Sequence, residues 1–175
     1  VVRMQDDHIE SLIARYVKDG DCISVGSGEL GERFAKRLAL ALESKHIPIW
    51  NIEFVPTSFR IGAVASSMGI PIADINEREV DVAIEFVDQI DENYNFVKRI
   101  SSSFVRDKMI AQSSGLLVAI ANESGFVKKL RGNIPYEAST FGWKRTLNQL
   151  DGFGKARRRL KENGLPEKTE TGNYV

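Results

Sequence analysis

Short apolar runs alternate with amphipathic segments along most of this chain, and this alternation constrains the fold more than any other feature. Strands are predicted at residues 22–25, 47–55, 80–86, 94–100 and 116–121. Helices are predicted at residues 9–17, 30–42, 58–68 and 104–112, where apolar residues recur every three or four positions. Repeated strand–helix alternation predicts an α/β fold, with a Rossmann-like, mostly parallel sheet and helices on both faces.

The sequence changes in character near residue 151. Residues 1–150 carry the alternating pattern and are predicted to form one Rossmann-like domain. Residues 151–175 include a basic run made of Lys155, Arg157, Arg158, Arg159 and Lys161. We interpret this run as a solvated basic helix, in preference to a phosphate-binding one, at the start of a small C-terminal lobe.

The charge balance and composition exclude several classes of function. The 175 residues include 24 basic and 24 acidic side chains, so no overall field attracts nucleic acid or an anionic membrane. No apolar run reaches the length of a membrane span, and residues 1–7 lack the form of a signal peptide. The single cysteine, Cys22, cannot form an internal disulfide. These features predict a cytoplasmic protein.

A metal site is not expected, because structural zinc needs about four closely spaced Cys or His ligands. His8 and His46 lie far apart in polar, helix-like segments. Neither a metal nor another cofactor is therefore predicted.

Ligands of open α/β sheets bind beyond the carboxyl ends of the strands, so the residues there are the candidates. The first candidate is the turn Gly26-Ser27-Gly28-Glu29, in which glycines and a helix start could approach an anion. Glu29 would repel that anion, so an ordinary capped helix start is an alternative. The second candidate is Thr57 with Ser58, whose hydroxyls could bind phosphate or cap a helix.

Charged side chains follow the next two predicted strands. Glu85 and Asp88 could point into one crevice and divide acid and base roles, or could belong to a polar loop. Lys98 could provide a cation, Ser101 a hydroxyl group and Asp107 a base. Alternatively, these residues could belong to an ordinary capped helix with a local ion pair.

The order of these segments resembles that of the type A ribose-5-phosphate isomerases. Val55-Pro56-Thr57-Ser58-Phe59 is similar to the family's I/V-P-T-S-F/Y, and residues 79–84 are similar to its E-I-D-V-A-I. Residues 85–89 occupy the place of the family's D-G-A-D-E motif. Residues 98–108 occupy the place of its K-G-G-G-x-x-x-x-R-E-K motif, and residues 26–30 occupy the place of its G-T-G-S-T motif. Residues 134–137 resemble the P-V-E segment, and residues 171–174 resemble a D-N-G-N strand entry.

The resemblance implies the ribose-5-phosphate isomerase/CoA-transferase-like fold and a metal-free aldose–ketose isomerisation. A carboxylate would move a proton between carbons 1 and 2 of ribose 5-phosphate through an enediolate. By position, the resemblance makes Asp107 the base, Lys98 the cation that offsets negative charge, and Glu85 with Asp88 the groups that handle hydroxyls and ring opening. Gly26, Ser27, Gly28, Thr57, Ser58 and Ser101 would contact substrate. The family also implies a homodimer or homotetramer.

Several positions depart from the family pattern. Asp107 stands where the family has glutamate, and Glu85 stands where it has aspartate. Residues 99–101 replace three glycines, Glu29 and Leu30 replace two phosphate-binding hydroxyl residues, and Gly125 stands where a lysine contacts phosphate. Lys128, Lys129, Arg99 and Arg106 are candidates to replace that lysine.

Two other functions stay open at this point. One is a sugar-phosphate-binding or sensor module that kept the fold and lost turnover. The other is a CoA-transferase-like enzyme with Glu85 as its nucleophile.

Overall fold

The computed structural model describes residues 6–44 and 48–175 of the chain. Its strands are β1 (Cys22–Val25), β2 (Glu53–Phe54), β3 (Val82–Phe86), β4 (Gln89–Ile90), β5 (Phe96–Val97) and β6 (Leu116–Ile120). Its helices are α1 (Asp6–Tyr16), α2 (Glu29–Ser44), α3 (Phe59–Ser67), α4 (Phe104–Ser113) and α5 (Trp143–Leu150), and a short 3-10 turn covers Glu123–Gly125. Of the helices in these two ranges, none is both long and apolar enough to cross a membrane.

The main sheet is parallel and has the strand order β2-β1-β3-β6. Val25 of β1 pairs with Ile84 of β3, and Glu85 of β3 pairs with Ala119 of β6. The carboxyl ends of β1 and β3 therefore lie side by side, next to the turn at Gly26. The predicted α/β class with a mostly parallel sheet is confirmed.

Helices cover both faces of this sheet. Ile23 and Ile84 pack with Phe34 of α2 and with side chains of α1 and α3 in the larger apolar cluster. Alternate strand residues point the other way, and there Ala83 packs with Ile110 of α4. Burial of each large aliphatic side chain contributes about 1.5–3 kcal/mol, so both layers hold the strand ends in place.

The strand predicted at residues 47–55 is much shorter than expected. Residue 47 lies outside the described residues, and only β2 pairs with β1, through Glu53 and Phe54. The backbone N–H groups of Trp50 and Asn51 donate to Asp19 Oδ1, each at 2.7 Å. The Asp19 carboxylate thus accepts the hydrogen bonds that the carbonyl groups of a neighbouring strand would otherwise accept.

The strand predicted at residues 94–100 is also longer than the one observed. Only β5 forms, and it pairs antiparallel with β4 in a separate hairpin. The Asp91 carboxylate accepts bonds from the backbone N–H groups of Asn93 and Asn95, both at 2.9 Å, and so closes the turn of this hairpin. The hairpin delivers Lys98 to the end of β3.

The basic helix predicted near residues 155–161 does not form; these residues are extended. The Arg158 guanidinium instead makes a cation–π contact and lies 3.8 Å from the centre of the Trp143 ring. The backbone of Leu160 forms an isolated antiparallel β-bridge with that of Pro166. The helix α5, which carries Trp143, is not among those predicted from the sequence. The division into residues 1–150 and 151–175 stays a prediction.

Candidate active site

Glu85, Lys98 and Asp107 form a buried cluster at the carboxyl end of β3. Glu85 lies within β3, not after it, Lys98 follows β5, and Asp107 lies in the first turn of α4. Lys98 Nζ is 2.8 Å from Glu85 Oε2 and 2.9 Å from Asp107 Oδ2. The three side chains are 4–11% exposed. One ammonium group therefore bridges two carboxyl groups from separate elements.

The two oxygens of Asp107 have different surroundings. Oδ2 accepts a 2.5 Å hydrogen bond from Ser101 Oγ in addition to the contact with Lys98. Oδ1 is buried and has no hydrogen-bond partner among residues 6–44 and 48–175. Because a buried acceptor without a partner is costly, such atoms are often found where a ligand or reacting group supplies the partner. Oδ1 is thus the oxygen available to accept a proton.

Burial sets the protonation state of this cluster. Burial raises the pKa of Glu85 to about 7, the Lys98 charge works against that rise, and the Asp107 charge adds to it. Burial disfavours the Lys98 ammonium, but the charges of Glu85 and Asp107 outweigh it and raise the pKa of Lys98. Near neutral pH, Lys98 is therefore charged, and Glu85 is poised between its acid and its carboxylate.

The free energy of unfolding should therefore depend on pH through Glu85. Its ordinary pKa of 4.5 applies to the unfolded chain, and the folded value is about 7, so the folded state holds the proton more tightly. The stability contributed by this proton is complete below pH 4.5 and is lost as the pH rises through 7. We expect a loss of about 3 kcal/mol relative to Glu85→Gln, which has no such proton.

Urea unfolding of the wild type and Glu85→Gln from pH 4.5 to 8 measures this difference. Curves for the two proteins that run parallel over that range would show that the pKa of Glu85 is not raised. Glu123→Gln, on the exposed 3-10 turn, controls for the general effect of losing a carboxylate.

The turn after β1 closes one side of the cluster. Gly26 N–H donates to Ile84 O at 2.8 Å, which holds the turn against β3. Ser27 Oγ lies 3.3 Å from Ser101 Oγ and accepts from the Ser102 backbone N–H at 3.2 Å. Gly28 has φ +105°, a conformation that favours glycine. The structure thus brings Gly26, Ser27 and Ser101 next to the cluster, and their contact with substrate stays a prediction.

Gly26→Ala should displace Glu85 and reduce activity. A Cβ at residue 26 would lie 2.5 Å from Glu85 Oε2 and 3.1 Å from Lys98 Nζ, so the carboxyl group must move. Displacement of reacting groups by about 1 Å can cost about a hundredfold in rate. We expect the rate of the reaction that this cluster performs to fall by about that factor. Gly154→Ala is the matched control, since a Cβ there meets no atom within 4 Å; equal rates for both variants would contradict the prediction.

Asp88 lies at the edge of the cluster. Its Oδ2 accepts from the Arg99 backbone N–H at 2.6 Å, and its side chain is exposed. This bond fixes the backbone next to Lys98. The contact of Asp88 with substrate stays a prediction.

Thr57 and Ser58 have structural partners in this fold. Thr57 is fully buried and its Oγ1 donates to Val25 O at 2.8 Å. Ser58 Oγ accepts from Ile61 N at 3.1 Å and caps α3. The capping alternative therefore describes Ser58, and contact of either residue with substrate stays a prediction.

Two of the candidate phosphate-binding cations are already engaged. Arg99 donates to Asn133 O at 3.2 Å and also to Arg131 O. Arg106 pairs with Glu170 at 3.2 Å. Lys128 and Lys129 are exposed. At residue 125, a Cβ would lie 2.7 Å from Asp88 O, so the backbone here fits glycine and no longer suits a lysine.

Two residues near the site, Ser103 and Glu137, were not predicted to belong to it. Ser103 lies in the segment predicted to cap a helix, and Glu137 lies in one of the segments that match the family. Ser103 caps α4, and Glu137 binds that cap from a distant loop. Glu137 follows Pro135 in a segment without helical or strand pattern, so no local signal shows its partner. Among the described residues, no group of three His, Cys, Asp or Glu side chains is arranged to hold a metal ion.

Comparison with known proteins gives one consistent family. Residues 53–175 match the family model described as ribose 5-phosphate isomerase A (phosphoriboisomerase A). A ribose-5-phosphate isomerase A of Archaeoglobus fulgidus is 32% identical over 166 residues, covering 94% of this chain and 72% of that protein. A probable ribose-5-phosphate isomerase 2 of Arabidopsis thaliana is 32% identical over 169 residues, but the chain spans only 63% of its length.

Solved structures agree with these matches. A ribose 5-phosphate isomerase from Plasmodium falciparum superposes with a TM-score of 0.84 and 27% identity, covering 97% of this chain and 74% of that one. A D-ribose-5-phosphate isomerase in complex with phospho-erythronic acid superposes with a TM-score of 0.81 and 27% identity, covering 98% and 78%. The similarity extends over nearly the whole chain.

Proposed function

We propose that this chain interconverts ribose 5-phosphate and ribulose 5-phosphate, because it belongs to the ribose 5-phosphate isomerase A family. The observation that carries the proposal is the bridging of Glu85 and Asp107 by Lys98. An aldose–ketose isomerisation needs a base at carbon and a cation at the oxygen that becomes negative. The cluster supplies both within one crevice.

In the proposed reaction, Asp107 Oδ1 takes the proton from carbon 2 of the opened sugar. Negative charge then develops on the oxygen at carbon 1, and Lys98 stabilises the resulting enediolate. The hydroxyl proton on the oxygen at carbon 2 passes to the oxygen at carbon 1, and the same carboxyl group returns its proton to carbon 1. Carbon 2 then becomes the carbonyl carbon of the ketose. Glu85 is near its pKa at neutral pH, so its acid form can donate a proton to the ring oxygen during opening. Asp88 then binds the anomeric hydroxyl group and accepts its proton as the carbonyl at carbon 1 forms.

Substrate contacts are proposed for Gly26, Ser27, Gly28 and Ser101, which border the cluster. Ser101 already orients Asp107 through its hydroxyl group. Contacts through Thr57 and Ser58 are also proposed, through atoms not used by their structural bonds. A homodimer or homotetramer in the cytoplasm, with no nucleic-acid partner, remains the expectation from the sequence.

A binding or sensor module without turnover is the second candidate. The observation that favours it is the changed phosphate end of the crevice, where Gly125 lacks a side chain and Arg99 and Arg106 have other partners. The CoA-transferase alternative has less support, because Glu85 is 4% exposed and its raised pKa favours the non-nucleophilic acid.

Conversion of ribose 5-phosphate by the purified chain tests the proposal. Carbon-13 NMR of substrate labelled at carbon 1 should show the aldose signal replaced by that of ribulose 5-phosphate at catalytic enzyme concentration. Absence of turnover would overturn the proposal. A rise in melting temperature with ribose 5-phosphate but no turnover would then identify the binding module, and a thioester formed with acyl-CoA would identify the transferase.

A further inference from the structure

The Glu137 carboxylate lies at the centre of a hydrogen-bonded cluster outside the proposed catalytic groups. Its Oε1 accepts from Thr171 Oγ1 at 2.6 Å, Thr169 Oγ1 at 2.7 Å and Asn173 Nδ2 at 2.9 Å. Its Oε2 accepts from the Val105 backbone N–H at 2.9 Å and from Ser103 Oγ at 3.2 Å. Burial opposes ionisation, but these donors outweigh it and lower the pKa of Glu137 to about 2. Glu137 is therefore a carboxylate with both oxygens engaged.

The donors to Oε2 belong to the N-terminus of α4. Ser103 is the N-cap residue, and its hydroxyl oxygen accepts from the Arg106 N–H at 3.2 Å. The first N–H groups of a helix have no partner within the helix. Glu137 supplies one for Val105, and its negative charge is favourable at the positive end of the helix. A residue 32 positions away thus completes the cap of α4.

The same cap leads directly to the side chain of Asp107. Asp107 N–H donates to Ser103 O at 3.1 Å, and Ser103 N–H donates to Ser101 Oγ at 3.1 Å. Ser101 Oγ in turn donates to Asp107 Oδ2 at 2.5 Å. Ser103 is fully buried, so it has little room to move without shifting these partners. The position of Ser103 therefore fixes both the backbone N–H and the side-chain carboxylate of Asp107.

A second carboxylate, that of Glu170, also accepts a hydrogen bond from the start of a helix, but it does not bond to Ser103 or Ser101. Its Oε2 accepts from Phe59 N–H at the start of α3 at 2.9 Å and pairs with Arg106 at 3.2 Å. Glu170 thus holds the C-terminal segment to α3 and to the outer side of α4. It provides a matched control for the structural effect of losing such a contact.

We propose that Glu137 is a positioning residue, which holds Asp107 at the geometry needed for proton transfer through the Ser103 cap and Ser101. This inference rests on the proposed isomerase function and extends it to a residue that does not touch substrate. Without the Glu137 charge, the cap of α4 loosens and Ser101 no longer holds Asp107 Oδ2 in one place.

Kinetics of Glu137→Gln and Glu170→Gln test the proposal at a temperature at which both variants are folded. We expect Glu137→Gln to lower kcat by about 10–100-fold with KM changed less than about threefold, because about 1 Å of displacement can cost a hundredfold. Substrate deuterated at carbon 2 should show a larger isotope effect on kcat in this variant, since proton transfer becomes slower. Glu170→Gln should keep kcat within about threefold of the wild type. Equal kcat values for the two variants would overturn the proposal.

Hydrogen exchange separates this proposal from the isomerase function. Glu137→Gln should speed amide exchange at Val105 and Arg106 by at least about tenfold and leave the first turn of α3 unchanged. Glu170→Gln should give the larger effect at Phe59. If the wild type does not convert ribose 5-phosphate, the proposed function fails, and exchange still decides whether Glu137 holds the start of α4. Unchanged exchange at Val105 and Arg106 in Glu137→Gln would overturn the positioning role.

Discussion

Asp107→Asn should reduce conversion of ribose 5-phosphate by about 10³–10⁴-fold. Asparagine has nearly the same shape but cannot accept the proton from carbon 2. The fold should persist because Lys98 keeps its contact with Glu85, which takes the negative charge when Asp107 is neutral. Substrate binding should therefore remain, with KM within about threefold, and the loss should lie in kcat. Steady-state kinetics and the melting temperature of both proteins measure these quantities.

Two variants control for the Asp107 result. Glu92→Gln makes the same chemical change at an exposed hairpin residue and should retain full activity. Asp107→Glu keeps a carboxylate and should retain measurable turnover. A rate for Asp107→Asn within about tenfold of the wild type would show that another group is the base.

Lys98→Met should have a smaller effect on the rate than Asp107→Asn and a larger one on stability. Removal of a positioned donor to a developing oxyanion costs about 10²–10³ in kcat. It also leaves Glu85 and Asp107 without the ammonium group that lies within 2.9 Å of both. Loss of one partner of a buried ion pair costs about 3–5 kcal/mol. We expect this destabilisation at pH 8, where Glu85 is ionised, and less of it at pH 5, where Glu85 is protonated.

A double-mutant cycle assigns the stability effect to the cluster. Lys98→Met should cost less in a Glu85→Gln background, because only one carboxylate then lacks its partner. Activity should stay lost in the double variant. Lys108→Met, at an exposed residue of α4, is the control for removal of a lysine. An undiminished kcat in Lys98→Met, or additive stability changes in the cycle, would contradict the cluster model.

The parallel sheet and the place of the cluster at its carboxyl edge could be anticipated from the sequence for a physical reason. Fully buried parallel strands such as β1 and β3 need continuous apolar runs, and their carboxyl ends meet at one edge of the sheet. Polar residues directly after or at the end of such runs, including Ser27 and Glu85, are therefore drawn to one place, and the β4–β5 hairpin adds Lys98. The resemblance added the order in which the groups act.

Long-range partners decided the features that the sequence did not reveal. Trp50 and Asn51 have strand-like neighbours, but Asp19 takes their N–H groups. The basic run near Arg158 has helix-forming residues, but cation–π contact with Trp143 and backbone bridges keep it extended. Glu137 has no local pattern at all, and its role depends on the position of α4. Local propensity is a weak guide where such contacts compete with it.

The most direct test of the central claim is the isotopic composition of product formed in D₂O. The account places the migrating proton on Asp107 between carbons 2 and 1, where it can exchange with solvent. It predicts that the wild type produces ribulose 5-phosphate with deuterium at carbon 1, and that Asp107→Asn produces neither product nor exchange. Formation of deuterated ribulose 5-phosphate by Asp107→Asn at a rate near that of the wild type would contradict it, since another group would then carry the proton.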